Sequence, residues 1–226
     1  MPGAKKPFLE SKAFDVLATA PLIVWYGFAV AGIGIRSVRL ISGLPSWPDW
    51  SAFLDLGSQL ATALFLGLQV VLFLVRRLPL AKAPGIVPRI AGVVGANLAL
   101  AFLALPRASL SRTIEALSTT IVLLATLASV VVAFRLGRAF SILPQARSFV
   151  ASGPYRLIRH PLYLAEQIGT WGLMLQYVQP WAVFIALASL AAQFPRMHYE
   201  EQILRETFPE YAAYASRTKR LVPGVY

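Results

Sequence analysis

The sequence predicts an all-α integral membrane bundle of about six transmembrane helices. Three observations carry that expectation. The 226 residues are 57% hydrophobic and 14% charged, with a mean hydropathy of +0.64, whereas a water-soluble domain carries about 25% charge. Uncharged apolar stretches recur along the whole chain, each near the roughly 20 residues that a spanning helix needs. The basic residues gather at the ends of those stretches, so the formal net charge of +11 reads as membrane topology and not as a nucleic-acid surface.

The first apolar run, Val16 to Ile35, follows the basic segment MPGAKKPFLESKAFD. It is near spanning length and lacks a small-residue cleavage site, so it reads as a retained helix and not a signal peptide. A second span covers Phe53 to Val75, after the turn-rich GLPSWPDW, whose tryptophans suit an interfacial belt. The third lies at Ile90 to Leu105 and the fourth at Ile114 to Leu136. The fifth and sixth form a tight hairpin, Pro161 to Tyr177 and Trp181 to Phe194, joined through Gln179 and Pro180. The closing segment FPEYAAYASRTKRLVPGVY places Phe208, Tyr211 and Ala215 on one stripe, an amphipathic cytosolic helix placed to cover a site at that surface. No internal repeat or linker interrupts the chain, which reads as one domain, 1–226.

With the N-terminus inside, Arg36, Arg39, Arg107 and Arg112 fall on the outer side, and the other 17 of the 21 Lys and Arg fall inside. That bias places both termini in the cytosol. Two polar clusters then meet on the cytosolic side.

The first cluster is GPYRLIRHPLYLAEQ, residues 153 to 167. Pro161 disfavours helix at His160 and suits a first helical position. The fifth helix therefore starts at Pro161, with His160 beside its free backbone N–H groups, a site for a carboxylate or phosphate. Tyr163 stands three residues on, at the same end. An interfacial anchor explains this segment equally well. The second cluster, RMHYEEQ at 196 to 202, holds Arg196 and Glu200 on one helical face, with Glu201 turned about 100° away. A simple i,i+4 salt bridge is the plain explanation. Paired charges at the edge of a bilayer cavity instead point to function. Together the clusters offer an anion site, a carboxylate and a guanidinium, an inventory suited to an amphoteric small cofactor. Glu166 and Gln167 read as satisfying neighbouring helices, and His198 as solvated.

Other classes fall away. The chain has no cysteine, which removes disulfides, thiolate metal sites and cysteine nucleophiles. GIGIRS, at 32 to 37, has Ser37 where a dinucleotide fingerprint needs its last glycine, and no P-loop occurs.

The ordered combination GPYxxxRHPxY, RxxxEE and YxxYxxRxxxxxP, over residues 136 to 224, resembles the isoprenylcysteine carboxyl methyltransferase family and its superfamily relatives, the phospholipid N-methyltransferases. The resemblance implies an integral membrane enzyme that uses S-adenosyl-L-methionine and requires no metal. It implies a lipophilic or lipidated acceptor drawn from the membrane, most simply a carboxylate; a phospholipid amine and a small thiol are the alternatives. It assigns cofactor contacts to Arg147, Ser148, Phe149, Val150, Tyr155, His160, Pro161, Leu162, Tyr163, Glu200 and Glu201. Arg196 matches the arginine at the acceptor end. Ala165 departs from the glycine that many relatives carry. NADPH-dependent sterol reductases share a similar RHPxY segment, although the Glu200–Glu201 pair favours the methyltransferases. A non-catalytic scaffold or transporter would place its polar groups nearer mid-membrane.

Overall fold

Ser11 is the N-cap of the first helix: its backbone is extended and its hydroxyl accepts the Phe14 amide, which starts α1 (Lys12–Leu17). The computed structural model describes residues 11–43 and 50–226. The first ten residues and most of GLPSWPDW, Trp47 included, lie outside the described residues. Next come α2 (Ala20–Ser42), α3 (Trp50–Val75) and α4 (Val87–Asn97), the last running on as a 3₁₀ turn to Ala104. α5 (Arg112–Leu136) is capped by the Ser111 hydroxyl, which accepts the Ile114 amide. A hairpin of α6 (Pro161–Met174) and α7 (Trp181–Thr207) follows, then the short α8 (Tyr211–Arg217). Two residue pairs, β1 (Ala81–Lys82) and β2 (Gln145–Ala146), join antiparallel.

Four helices among the described residues are long and apolar enough to cross a membrane: Ala20–Ser42, Trp50–Val75, Val87–Ala104 and Arg112–Ala139. They are the first four expected spans. The first begins later than hydropathy predicts. The Thr19 hydroxyl bonds back to the carbonyls of Asp15 and Val16, both at 3.1 Å, which closes α1. Pro21 then fits the first turn of α2. It also runs past Ile35, because Arg36 and Arg39 end the apolarity without ending the helix. The expected fifth span is α6, whose 14 residues reach about 21 Å, short of the roughly 30 Å of a hydrocarbon core. α7 is long, but it turns polar from Arg196 onward.

Small residues bring the helices close. A Cβ on Gly172 would sit 2.7 Å from Ile121 Cγ2, so α6 lies directly against α5, and the Ser118 hydroxyl donates across that contact to the Gly172 carbonyl at 2.7 Å. This is how apolar helices associate in lipid. Gly92 admits the Ile142 carbonyl, 2.8 Å from where its Cβ would stand, which presses the chain after α5 onto α4. Tyr26, Phe73, Phe140, Leu162, Tyr163 and Met197 belong to one buried cluster near the ends of α3 and α5. The two polar clusters stand on this floor.

Candidate active site

Between α5 and α6 the chain is irregular but pinned. Gly137, at φ +51°, leaves the helix in a conformation that side chains disfavour. The segment then bonds to the stretch after α3, Leu80 N–H to Ala146 C=O at 2.7 Å and Ala83 N–H to Pro144 C=O at 3.1 Å. At its far end the C-terminal tail lies alongside. The Arg159 amide donates to the Lys219 carbonyl (2.8 Å), and the His160 amide to that of Arg220 (3.0 Å). α6 then starts at Pro161, as the proline rule predicts.

These elements enclose a cavity of about 50 Å³. Ser148, Phe149, Val150 and Tyr155 line it from the irregular segment, Arg159 and His160 from the approach to α6, Glu200 and Leu204 from α7, and Tyr211 and Tyr214 from α8. The wall is aromatic. Tyr214 and Tyr211 meet Phe149 edge-on, with ring centroids 5.1 and 5.6 Å away. The Tyr214 hydroxyl donates to the Tyr155 carbonyl at 2.7 Å. Burial pushes the Tyr214 phenol up to about 12 and raises those of Tyr155 and Tyr211 too, so all three stay neutral at neutral pH.

Beside the cavity Glu201 gathers cations. Its carboxylate lies 3.0 Å from His160 Nε2, 3.0 Å from Arg220 Nε, 3.2 Å from Arg159 Nε and 3.5 Å from Arg205 Nη2. Burial alone would raise this carboxyl. Hydrogen bonds from His160 and Arg220, with the charge of Arg159, outweigh that and hold it at about 2. An ionised carboxylate only accepts, so the His160 nitrogen facing it carries hydrogen. Glu201 thereby ties the tail to the start of α6.

The His160 ring stacks on Tyr163 at 5.1 Å and 10°. The Tyr163 hydroxyl donates to Glu200, and the Arg196 guanidinium carbon lies 4.1 Å over the same phenol ring. Arg196 reaches Glu166 at 3.5 Å and Gln193 at 3.4 Å, while its Nε is buried without a hydrogen-bond partner.

The structure thus brings Ser148, Phe149, Val150, Tyr155, His160 and Glu200 together on one cavity. Pro161, Leu162, Tyr163 and Glu201 support that wall without lining it. Arg147 turns away, its guanidinium engaged by Asp15 at 2.7 Å. The direct Arg196–Glu200 pair that helical spacing allows does not form, because Tyr163 joins Glu200 and Arg196 selects Glu166. Gln167 does satisfy a neighbouring helix, through the Ala186 carbonyl at 3.3 Å. His198 is exposed. α8 turns its tyrosines into the protein, and Tyr214, absent from the expected stripe, forms the wall with Tyr211. A hydropathy stripe cannot find Tyr214, since its role depends on Phe149, sixty-odd residues earlier. Gln145 and Arg159 were also missed as wall residues.

A nucleoside-bearing sulfonium cofactor fits this donor set in kind. Phe149, Tyr155, Tyr211 and Tyr214 offer faces and edges to a purine, and Glu200 can accept from hydroxyls or an amine. The volume of about 50 Å³ is small against the roughly 300–1,000 Å³ of ligand pockets; a cofactor of that size would enter only if the aromatic wall opened.

Residues 108–211 match the family described as phospholipid methyltransferase. That segment contains every residue expected at the site, and the resemblance to the superfamily of isoprenylcysteine carboxyl and phospholipid methyltransferases holds for it. Two curated relatives share shorter stretches. The cobalt-zinc-cadmium resistance protein CzcN of Cupriavidus metallidurans is 42% identical over 79 residues, 34% of this chain and 36% of that protein. The nickel-cobalt-cadmium resistance protein NccN of Alcaligenes xylosoxydans xylosoxydans is 31% identical over 80 residues, 35% and 38% of the two chains. The aligned stretch spans little more than a third of either relative.

Proposed function

We propose that this protein is an integral membrane methyltransferase that binds S-adenosylmethionine in the cavity beside Glu200 and methylates a lipophilic acceptor held near Arg196. The observation that carries the reading is the convergence of the aromatic wall, Glu200 and the Tyr163–Arg196 stack, all but Tyr214 within the matched segment. The reading includes six spans, with α6 and α7 completing the bundle, both termini cytosolic and the cavity at the cytosolic end.

The cofactor supplies an electrophilic methyl group on sulfur. Glu200 would accept hydrogen bonds from its amine or hydroxyl groups, and Phe149, Tyr211 and Tyr214 would exclude water from the cavity. When the acceptor is an anion, charge is lost on the way to products, so a water-poor site favours reaction. Tyr163, fixed by Glu200 on one side and carrying Arg196 over its ring, sets the distance between the two halves of the site. Orientation then contributes much of the rate.

Two acceptor classes each have one supporting observation. The buried, unbonded Nε of Arg196 supports a carboxylate, which a guanidinium fork matches. Glu166 beside Arg196 and Glu200 across the Tyr163 ring support a phospholipid amine, since a carboxylate would accept the proton that the amine must lose before its nitrogen can take the methyl group. Incubating the protein in lipid vesicles with methyl-labelled cofactor and lipid extract decides between them. A base-labile ester marks the carboxylate, a base-stable labelled headgroup marks the amine, and no labelled lipid under saturating cofactor refutes the proposal.

A further inference from the structure

We propose that Asp15, on the N-terminal helix and outside the segment that matches the family, positions the cofactor-binding loop through Arg147. The inference rests on the functional reading above. Asp15 lies 132 residues from Arg147, and its two carboxylate oxygens take up both terminal nitrogens of that guanidinium. Nη2 donates to Oδ1 at 2.7 Å and Nη1 to Oδ2 at 3.2 Å, the two-pronged geometry that gives direction as well as strength. Oδ2 also accepts from Arg76 Nε at 2.9 Å.

Arg147 immediately precedes Ser148, Phe149 and Val150, three residues of the cavity wall. Its side chain reaches two further points: Nη2 donates to Gln145 Oε1 at 2.6 Å, and Nη1 donates to the Arg77 carbonyl. Gln145 itself lines the cavity and accepts from the Ser141 hydroxyl, another wall residue, at 3.3 Å. One carboxylate thus anchors a guanidinium whose contacts run into the loop at Gln145 and into the stretch after α3 at Arg77.

Arg76 and Arg147 are 3% and 2% exposed, and they share Asp15. Without its charge two guanidiniums face each other away from water, an arrangement that costs far more than it returns. Arg147 must then swing toward solvent, and the backbone at Ser148 follows it. Burial alone would raise the Asp15 carboxyl, but the hydrogen bond from Arg147 and the charges of both arginines hold it below the usual range, so the anchor is ionised at neutral pH. The N-terminal helix is therefore part of the cofactor site without touching the cofactor. Asp15 is a positioning residue.

The test uses the full chain in lipid nanodiscs. Equilibrium binding of labelled S-adenosylmethionine and the ligand-free unfolding midpoint are measured for the natural protein, Asp15→Asn, Asp15→Glu and Arg76→Gln. Asp15→Asn should weaken cofactor binding on the order of tenfold, the loss of a charged hydrogen bond, and raise KM for the cofactor with kcat little changed at saturation. Asp15→Glu should recover most of the affinity. Arg76→Gln should lower the midpoint and cost less affinity than Asp15→Asn, since Arg147 keeps its hold on both carboxylate oxygens. Arg147→Lys keeps the charge and loses the fork. It should reproduce the affinity loss and serves if Asp15→Asn does not fold. A lowered midpoint with unchanged affinity in both Asp15→Asn and Arg147→Lys would overturn the proposal, leaving the cluster a brace for the helix alone. Absence of cofactor binding by the natural protein contradicts the functional reading itself, a separate and recognisable failure.

Discussion

The Arg196 guanidinium carbon sits 4.1 Å over the ring of Tyr163, and that ring, not Arg196, holds Glu200 through its hydroxyl. The two residues divide the site: Glu200 faces the cavity, and Arg196 lies on the other side of the phenol with Glu166. The stack depends on a flat cation, and an ammonium is not one.

Arg196→Lys and Arg196→Ala should therefore fail alike. In both, turnover should drop on the order of 10²-fold, the size of effect expected when a reacting group is misplaced. Cofactor affinity should stay within a few-fold, because Tyr163 and not Arg196 contacts Glu200. Steady-state rates with equilibrium binding on the same preparations check this. Normal turnover in Arg196→Lys would reduce the residue to a charge partner for Glu166.

Glu201 makes stability sensitive to acid. Its carboxyl is held at about 2 in the folded protein against an ordinary 4.5. A depressed folded value means the stabilisation is complete above the unfolded value and is lost as pH falls from about 5 toward 2. The full effect is on the order of 3 kcal/mol. Unfolding midpoints of the natural protein should fall across that window. Glu201→Gln should start lower at pH 7 and show a shallower decline. Parallel curves for the two proteins would remove Glu201 as the cause.

Gly172 tests the helix packing that supports α6. Adding a methyl there drives a Cβ to 2.7 Å from Ile121 Cγ2, whereas at Gly169 the nearest atom, Ala125 Cβ, is an ordinary 3.4 Å away. Gly172→Ala should cost about 1–3 kcal/mol, and Gly169→Ala should be close to neutral. Denaturant unfolding in mixed micelles compares them. Equal stabilities would mean that α5 and α6 sit farther apart.

Much of the fold was legible because its causes are local. Hydropathy located the first four spans, and Pro161 located the start of α6. The break at Thr19 was not legible, since it needs a side chain to bond back onto the preceding turn while Asp15 is held by residues far along the chain. The residues of the site were legible as two clusters, but their partners were not. Spacing puts Arg196 and Glu200 on one face, yet Tyr163 from another helix comes between them. Glu166 read as a helix-packing group, and only the approach of α7 makes it the partner of Arg196. Tyr214 and Asp15 gave no local signal at all, because each acts on a segment distant in sequence.

The most direct test of the central claim is cofactor choice, measured as the shift in unfolding midpoint of the purified protein with S-adenosylmethionine, its demethylated product or NADPH. A ligand that binds the folded state alone raises the midpoint. The account predicts a rise with the sulfonium cofactor and its product, no rise with NADPH, and loss of most of that rise in Glu200→Gln and Phe149→Ala. A rise with NADPH and none with S-adenosylmethionine would contradict it and favour a reductase.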